Sequence, residues 1–71
     1  AMKKVKIMKK RLGKVDMVFL VDIKTGIRPA HSPINLYNKA GISDLVKYAN
    51  SLKWKIINLK EFAEGGSKKD D

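Results

Sequence analysis

The sequence predicts a small α+β domain. The expected architecture is an antiparallel sheet of three to four strands, in the chain order β-β-β-(short α)-α-β, with one main helix packed on one face. Three observations carry this prediction. Two stretches with the apolar pattern of strands, the basic Lys3–Leu12 and the apolar-rich Asp16–Ile23, flank the turn-forming Gly13. Farther on, Ile42, Leu45, Ala49 and Leu52 recur at helical spacing. The chain has 71 residues, enough for one domain and no more.

In the first stretch Val5 and Ile7 share one face, while Lys4, Lys6 and Met8 share the other, the period of a strand with one buried side. The second stretch is apolar at its odd positions (Met17, Phe19, Val21, Ile23) and also at Val18 and Leu20. Such a strand belongs inside a sheet. Asp16 and Asp22 at its ends can face the cations of the neighbouring strand. "DIKTGI" then reads as a turn begun by Asp22 and closed by Gly26 with positive φ. A short third strand is expected at Ile27–His31, at an edge because Pro29 has no donor.

Ser32 as cap, Pro33 at the first helical position and Gly41 after the end predict a two-turn helix over 33–40. The main helix comes next, capped by Ser43, with Asp44 near its N-terminus, Lys53 near its C-terminus, and Val46 and Tyr48 flanking the inward stripe. A last strand is expected at Lys55–Leu59, with Ile57 and Leu59 on one face. The expected domain is 2–64. The tail 65–71, without an apolar residue, is expected to be disordered, and Ala1 before Met2 reads as a cloning scar.

Composition narrows the function. There is no cysteine, which excludes a disulfide scaffold and a thiolate metal site and fits a cytoplasmic setting. The longest apolar run, Met17–Val21, is far short of a membrane span, and no signal-peptide segment comes after the basic start. A membrane-surface role lacks the basic amphipathic helix it needs. The net charge of +9 is lopsided: residues 1–14 hold six Lys, one Arg and no acid, so they supply +7 of it. A charge block at one end of a small domain makes a one-sided positive field, suited to phosphate backbones or to acidic protein surfaces.

The candidate nucleic-acid contacts are Lys4, Lys6, Lys10, Arg11, Lys14 and Arg28. The alternative use of edge lysines is to prevent sheet-to-sheet aggregation. Tyr48 and Trp54, with Tyr37, are candidates for base stacking, against core packing. Met8, Val18 and Leu20 are candidates for an open apolar sheet face, unless the short helix or the N-terminal segment folds over it. No catalytic apparatus is evident. A small ribonuclease site built on His31 with Arg28 and Lys24 is the remote alternative, and one His with scattered carboxylates gives no metal site. No cofactor is expected.

"LYNKAGISDLVKYAN", Leu36–Asn50, resembles the turn of the helix-turn-helix family. Ala40-Gly41-Ile42-Ser43 matches its small-Gly-apolar-Ser pattern, which implies Gly41 at the sharp turn and Ser43 capping a recognition helix. Pro33 shortens the first helix, Tyr37 stands where the family wants a small residue, and the second helix offers Asp44, Lys47, Asn50 and Ser51 rather than an Arg-rich face.

Two functions from different classes fit these residues. One is a small nucleic-acid-binding module that contacts phosphates through the Lys-rich hairpin. The other is a protein-interaction or inhibitory accessory protein, of the kind phages and plasmids encode, which presents the same hairpin and an apolar sheet face to an acidic surface of a larger protein or to a second copy.

Overall fold

The computed structural model describes residues 3–63. The expected tail 65–71 and Ala1 lie outside them. Six elements succeed one another: β1 (Lys4–Leu12), β2 (Val15–Asp22), β3 (Ile34–Leu36), α1 (Lys39–Ser51), β4 (Lys55–Ile56) and α2 (Leu59–Ala63). The sheet is four-stranded, ordered β3-β2-β1-β4. β1–β2 and β2–β3 are antiparallel, whereas β4 runs parallel to β1, so the sheet is mixed. The α+β class and the single main helix agree with the sequence reading.

The β1–β2 hairpin turns on two residues, with Leu12 opposite Val15. Gly13 takes φ 67° while Lys14 stays out of the left-handed region, the pattern of a type II′ turn. This turn fixes the register: Ile7 faces Leu20 and Met8 faces Phe19. Val5 and Ile7 therefore share their side of the sheet with Val18 and Leu20, and α1 closes that side with Leu45 and Ala49. These six residues are the buried core. Ile42, Tyr48, Trp54, Ile56, Leu59 and Phe62 pack around it.

The Asp22–Gly26 turn forms as the sequence predicts. Gly26 sits at φ 77° with its amide on the Asp22 carbonyl at 2.8 Å, and the Asp22 carboxylate accepts from the Lys24 amide at 2.9 Å. The third strand does not lie at Ile27–His31. Those residues form a loop closed by Arg28, whose guanidinium donates to the Ser32 carbonyl. The Ser32 hydroxyl, buried here, donates to the Pro29 carbonyl at 2.8 Å, so Ser32 closes the loop and does not cap a helix. The strand forms instead at Ile34–Leu36, where a helix is expected. Ile34 and Leu36 alternate about Asn35, and pairing with Phe19 and Met17 outweighs the weak local helix signals of Ser32 and Pro33.

The main helix begins earlier than its punctuation suggests. Asn38, with extended φ −154° and ψ 177°, is the N-cap, and its side chain accepts from the Gly41 amide at 2.7 Å. Gly41 thus lies in the first turn of α1, not beyond the end of a preceding helix. It is glycine because a Cβ there would stand 1.9 Å from the Leu36 carbonyl oxygen. The close approach lets the Asn35 side chain donate to the Gly41 carbonyl at 2.9 Å and locks β3 to the helix. With no helix before Gly41, the helix-turn-helix resemblance does not extend to the structure.

At the other end, the Lys53 amide bonds Asn50 at 3.1 Å and the Trp54 amide bonds Ala49 at 2.9 Å, with Lys53 at φ 61°. This is a Schellman ending with lysine where glycine is usual. Leu52, expected in the inward stripe, is the C-cap of this ending and is exposed.

β4 is shorter than the predicted Lys55–Leu59. Asn58 replaces its continuation: its Oδ1 accepts from the Ile7 amide at 2.8 Å and its Nδ2 donates to the Ile7 carbonyl at 3.0 Å. The side chain thereby satisfies the edge of β1 as another strand would. Ile56 sits beside Val5 and faces the core, while Ile57, expected to share a face with Leu59, is exposed and Leu59 packs on the core.

Candidate binding face

The helices cover one side of the sheet. On the other side, the register sets the paired residues: Lys6 with Val21, Met8 with Phe19, Lys10 with Met17, Leu12 with Val15. Ile34 and Leu36 join them beside Phe19 and Met17. Val21 is buried and Phe19 and Met17 are half-buried, but Met8, Leu12, Val15, Ile34 and Leu36 remain between 37% and 51% exposed. Exposed aliphatics clustered on one face, rather than scattered singly, make this side the candidate for a contact.

Of the three apolar candidates, the structure leaves one on this side of the sheet. Met8 lies on this open face. Val18 and Leu20 do not: both are 0% exposed and form the floor of the core beneath α1. Because the second strand is apolar on both sides, its composition could not say which side turns inward. The residues that replace them on the face are Met17, Phe19, Ile34 and Leu36. A signal for the β2 pair was available: a two-residue turn at Gly13-Lys14 puts Ile7 opposite Leu20, and so on the same face.

The same alternation sorts the cations of β1. Lys3, Lys9 and Arg11 lie on the helix side, and each has a partner. Lys3 pairs with Asp22 at 3.6 Å and stands 4.8 Å above the Trp54 ring. Lys9 stands 4.8 Å above the Tyr37 ring. Arg11 pairs with Asp16 at 3.9 Å. Both aspartates thus face cations of the neighbouring strand, as their positions predict. Lys4, Lys6 and Lys10 lie on the open side. The two ion pairs among the described residues involve neither these three nor Lys14 at the hairpin tip. The described carboxylates are Asp16, Asp22, Asp44 and Glu61. Asp16 and Asp22 point to the helix side, and Asp44 and Glu61 belong to α1 and α2. The open face is thus apolar, positive, and without a described carboxylate.

The remaining candidates fall elsewhere. Arg28 is engaged within its loop by Ser32. Tyr48 and Trp54 meet edge-to-face at 5.7 Å and pack on the core, and Tyr37 meets Phe62 edge-to-face at 6.1 Å. The three candidate aromatics are thus all engaged on the helix side, away from Lys4, Lys6 and Lys10. His31 holds φ 69° in the Arg28–Ser32 loop, and Lys24 lies in the preceding turn. Among the described residues no three His, Cys, Asp or Glu side chains cluster as metal ligands. No described helix is long and apolar enough to cross a membrane.

No protein-family model matches the chain, and neither a curated protein nor a solved structure does. The site's chemistry therefore has to be read from its own residues.

Proposed function

We propose that the protein is a non-enzymatic docking module whose uncovered sheet face binds an acidic, partly apolar surface of a larger protein. One observation supports this reading above the others: exposed aliphatic side chains share a face with Lys4, Lys6 and Lys10, and none of the described carboxylates lies there. Phe19 is the one aromatic ring on this face among the described residues and lies half-buried between Met8 and Ile34, so the face offers an apolar surface rather than a row of rings on which bases could stack. Lysines beside that surface select for negative charge and speed encounter.

A second reading has its own support. Lys4, Lys6 and Lys10 point the same way along one strand, with Lys4 and Lys6 about 7 Å apart, near the phosphate repeat of a nucleic acid strand. Phosphate binding by three lysines would weaken roughly twenty- to fortyfold between 50 and 200 mM salt.

The experiment retains partners from a lysate on immobilised protein, with and without nuclease, for the wild type, Leu36→Glu, and the triple change of Lys4, Lys6 and Lys10 to Ser. A protein that survives nuclease and is lost with Leu36→Glu is the expected result. Retention that depends on nucleic acid and on the three lysines, and is indifferent to Leu36→Glu, would replace the first reading with the second.

A further inference from the structure

If the open face docks a protein, as proposed, its charge and shape also bear on the form of that partner. The strand edges are poor acceptors for an added strand. β3 is three residues long, and β1 beyond the Asn58 pairing carries Lys9, Lys10 and Arg11. Short, cationic edges discourage backbone pairing, so a partner has to engage the face through side chains.

A second copy of this chain is disfavoured. It brings the same +9 charge and an equally carboxylate-poor face, so Lys4, Lys6 and Lys10 would gain no counter-charge from it. The opposite side of the same sheet shows what fits: α1, thirteen residues long, lies against it and supplies Leu45 and Ala49 to the core. An apolar sheet face is buried by packing another layer on it, and on this sheet the layer already present is helical.

The lysine row gives the register. Along a strand Lys4 and Lys6 stand about 7 Å apart and Lys6 and Lys10 about 13 Å. On a helix, carboxylates at i and i+4 rise about 6 Å and the next, at i+11, about 11 Å more, all on one flank. The difference is within the reach of a lysine side chain.

We propose that the open face receives an amphipathic helix of a partner protein, laid along the strands, with its apolar stripe on Met8, Ile34 and Leu36 and an acidic flank over Lys4, Lys6 and Lys10. The test uses synthetic 18-residue peptides and the full chain, monitored by fluorescence anisotropy and amide chemical shifts. One peptide has a leucine stripe and glutamates at i, i+4 and i+11. A second carries lysines at those positions. A third has the composition of the first in an order that gives no stripe.

The expected result is binding of the first peptide at least tenfold tighter than of the other two, with the largest shifts at Met8, Phe19 and Leu36. The double charge reversal Lys6→Glu with Lys10→Glu should transfer the preference to the lysine peptide. Equal binding of the first and third peptides, lost with Leu36→Glu, overturns the helix but leaves the docking face standing. Binding insensitive to Leu36→Glu, or no binding of any peptide at millimolar concentration, overturns the helix too; the first of these also argues against the face. A face-to-face homodimer at micromolar concentration, dissociated by Leu36→Glu, assigns the surface to a second copy and overturns the proposal.

Discussion

The two sides of the sheet are built from the same strands and nearly the same residue types, yet only one of them is covered by helices. On the helix side, Val5, Ile7, Val18 and Leu20 meet Leu45 and Ala49 and lose all but a trace of their exposure. The cations of that side are tied to Asp16, Asp22, Trp54 and Tyr37. On the other side, Met8, Ile34 and Leu36 are comparably apolar but stay exposed, and Lys4, Lys6 and Lys10 are without a carboxylate partner among the described residues. Hydrophobicity alone therefore does not make a core. A residue contributes to stability when a second layer covers it, and the same residue left uncovered is available for a partner.

Placing the same charge on each side separates them most directly. Leu20→Asp buries an unpaired carboxylate and should remove about 4 kcal/mol or more, enough to unfold a domain this small. Leu36→Asp should change stability by less than about 0.5 kcal/mol. Urea titrations of the two variants settle it: similar losses would mean that both sides are core.

Gly41 tests how the covering helix is held. Gly41→Ala forces the helix away from the Leu36 carbonyl and should cost about 1–3 kcal/mol. Thermal melts check it, and a neutral result would mean that the helix shifts freely over β3. Asn58→Ala leaves the amide and carbonyl of Ile7 without their partners. A loss of about 1–3 kcal/mol is expected, with faster hydrogen exchange at Ile7 than at Leu20. The smallest effect should be a gain: Lys53→Gly relieves a left-handed backbone at the helix end and should add about 1 kcal/mol. A loss there would show that the Lys53 side chain contributes something the backbone conformation does not explain.

Much of this was legible in the residues. The faces of β1 follow from Val5 and Ile7 alternating with Lys4, Lys6 and Met8. The interior place of β2 follows from its apolar run, and the turns follow from Gly13 and from Asp22 with Gly26. The inward positions Leu45 and Ala49 follow from their spacing. Assignments failed where local signals were ambiguous. "SPINLYNKAG" has caps and glycine for a helix, but Ile34 and Leu36 find neighbours on β2, and Gly41 serves close packing rather than chain reversal. Asn58 substitutes for a strand, which no period can reveal. Val18 and Leu20 change sides relative to the sequence reading because register, not composition, orients a strand that is apolar on both faces.

Local residue patterns were enough to specify the class of fold, the anchoring of the amino-terminal cations on a strand and the helix that covers the core, because periodicity and turn residues act over a few neighbours. Which side of the second strand that helix covers, which lysines are consumed by internal partners and which face is left open were decided by tertiary pairing. Those outcomes depend on contacts between residues distant in the chain, and a one-residue change of register would exchange them all.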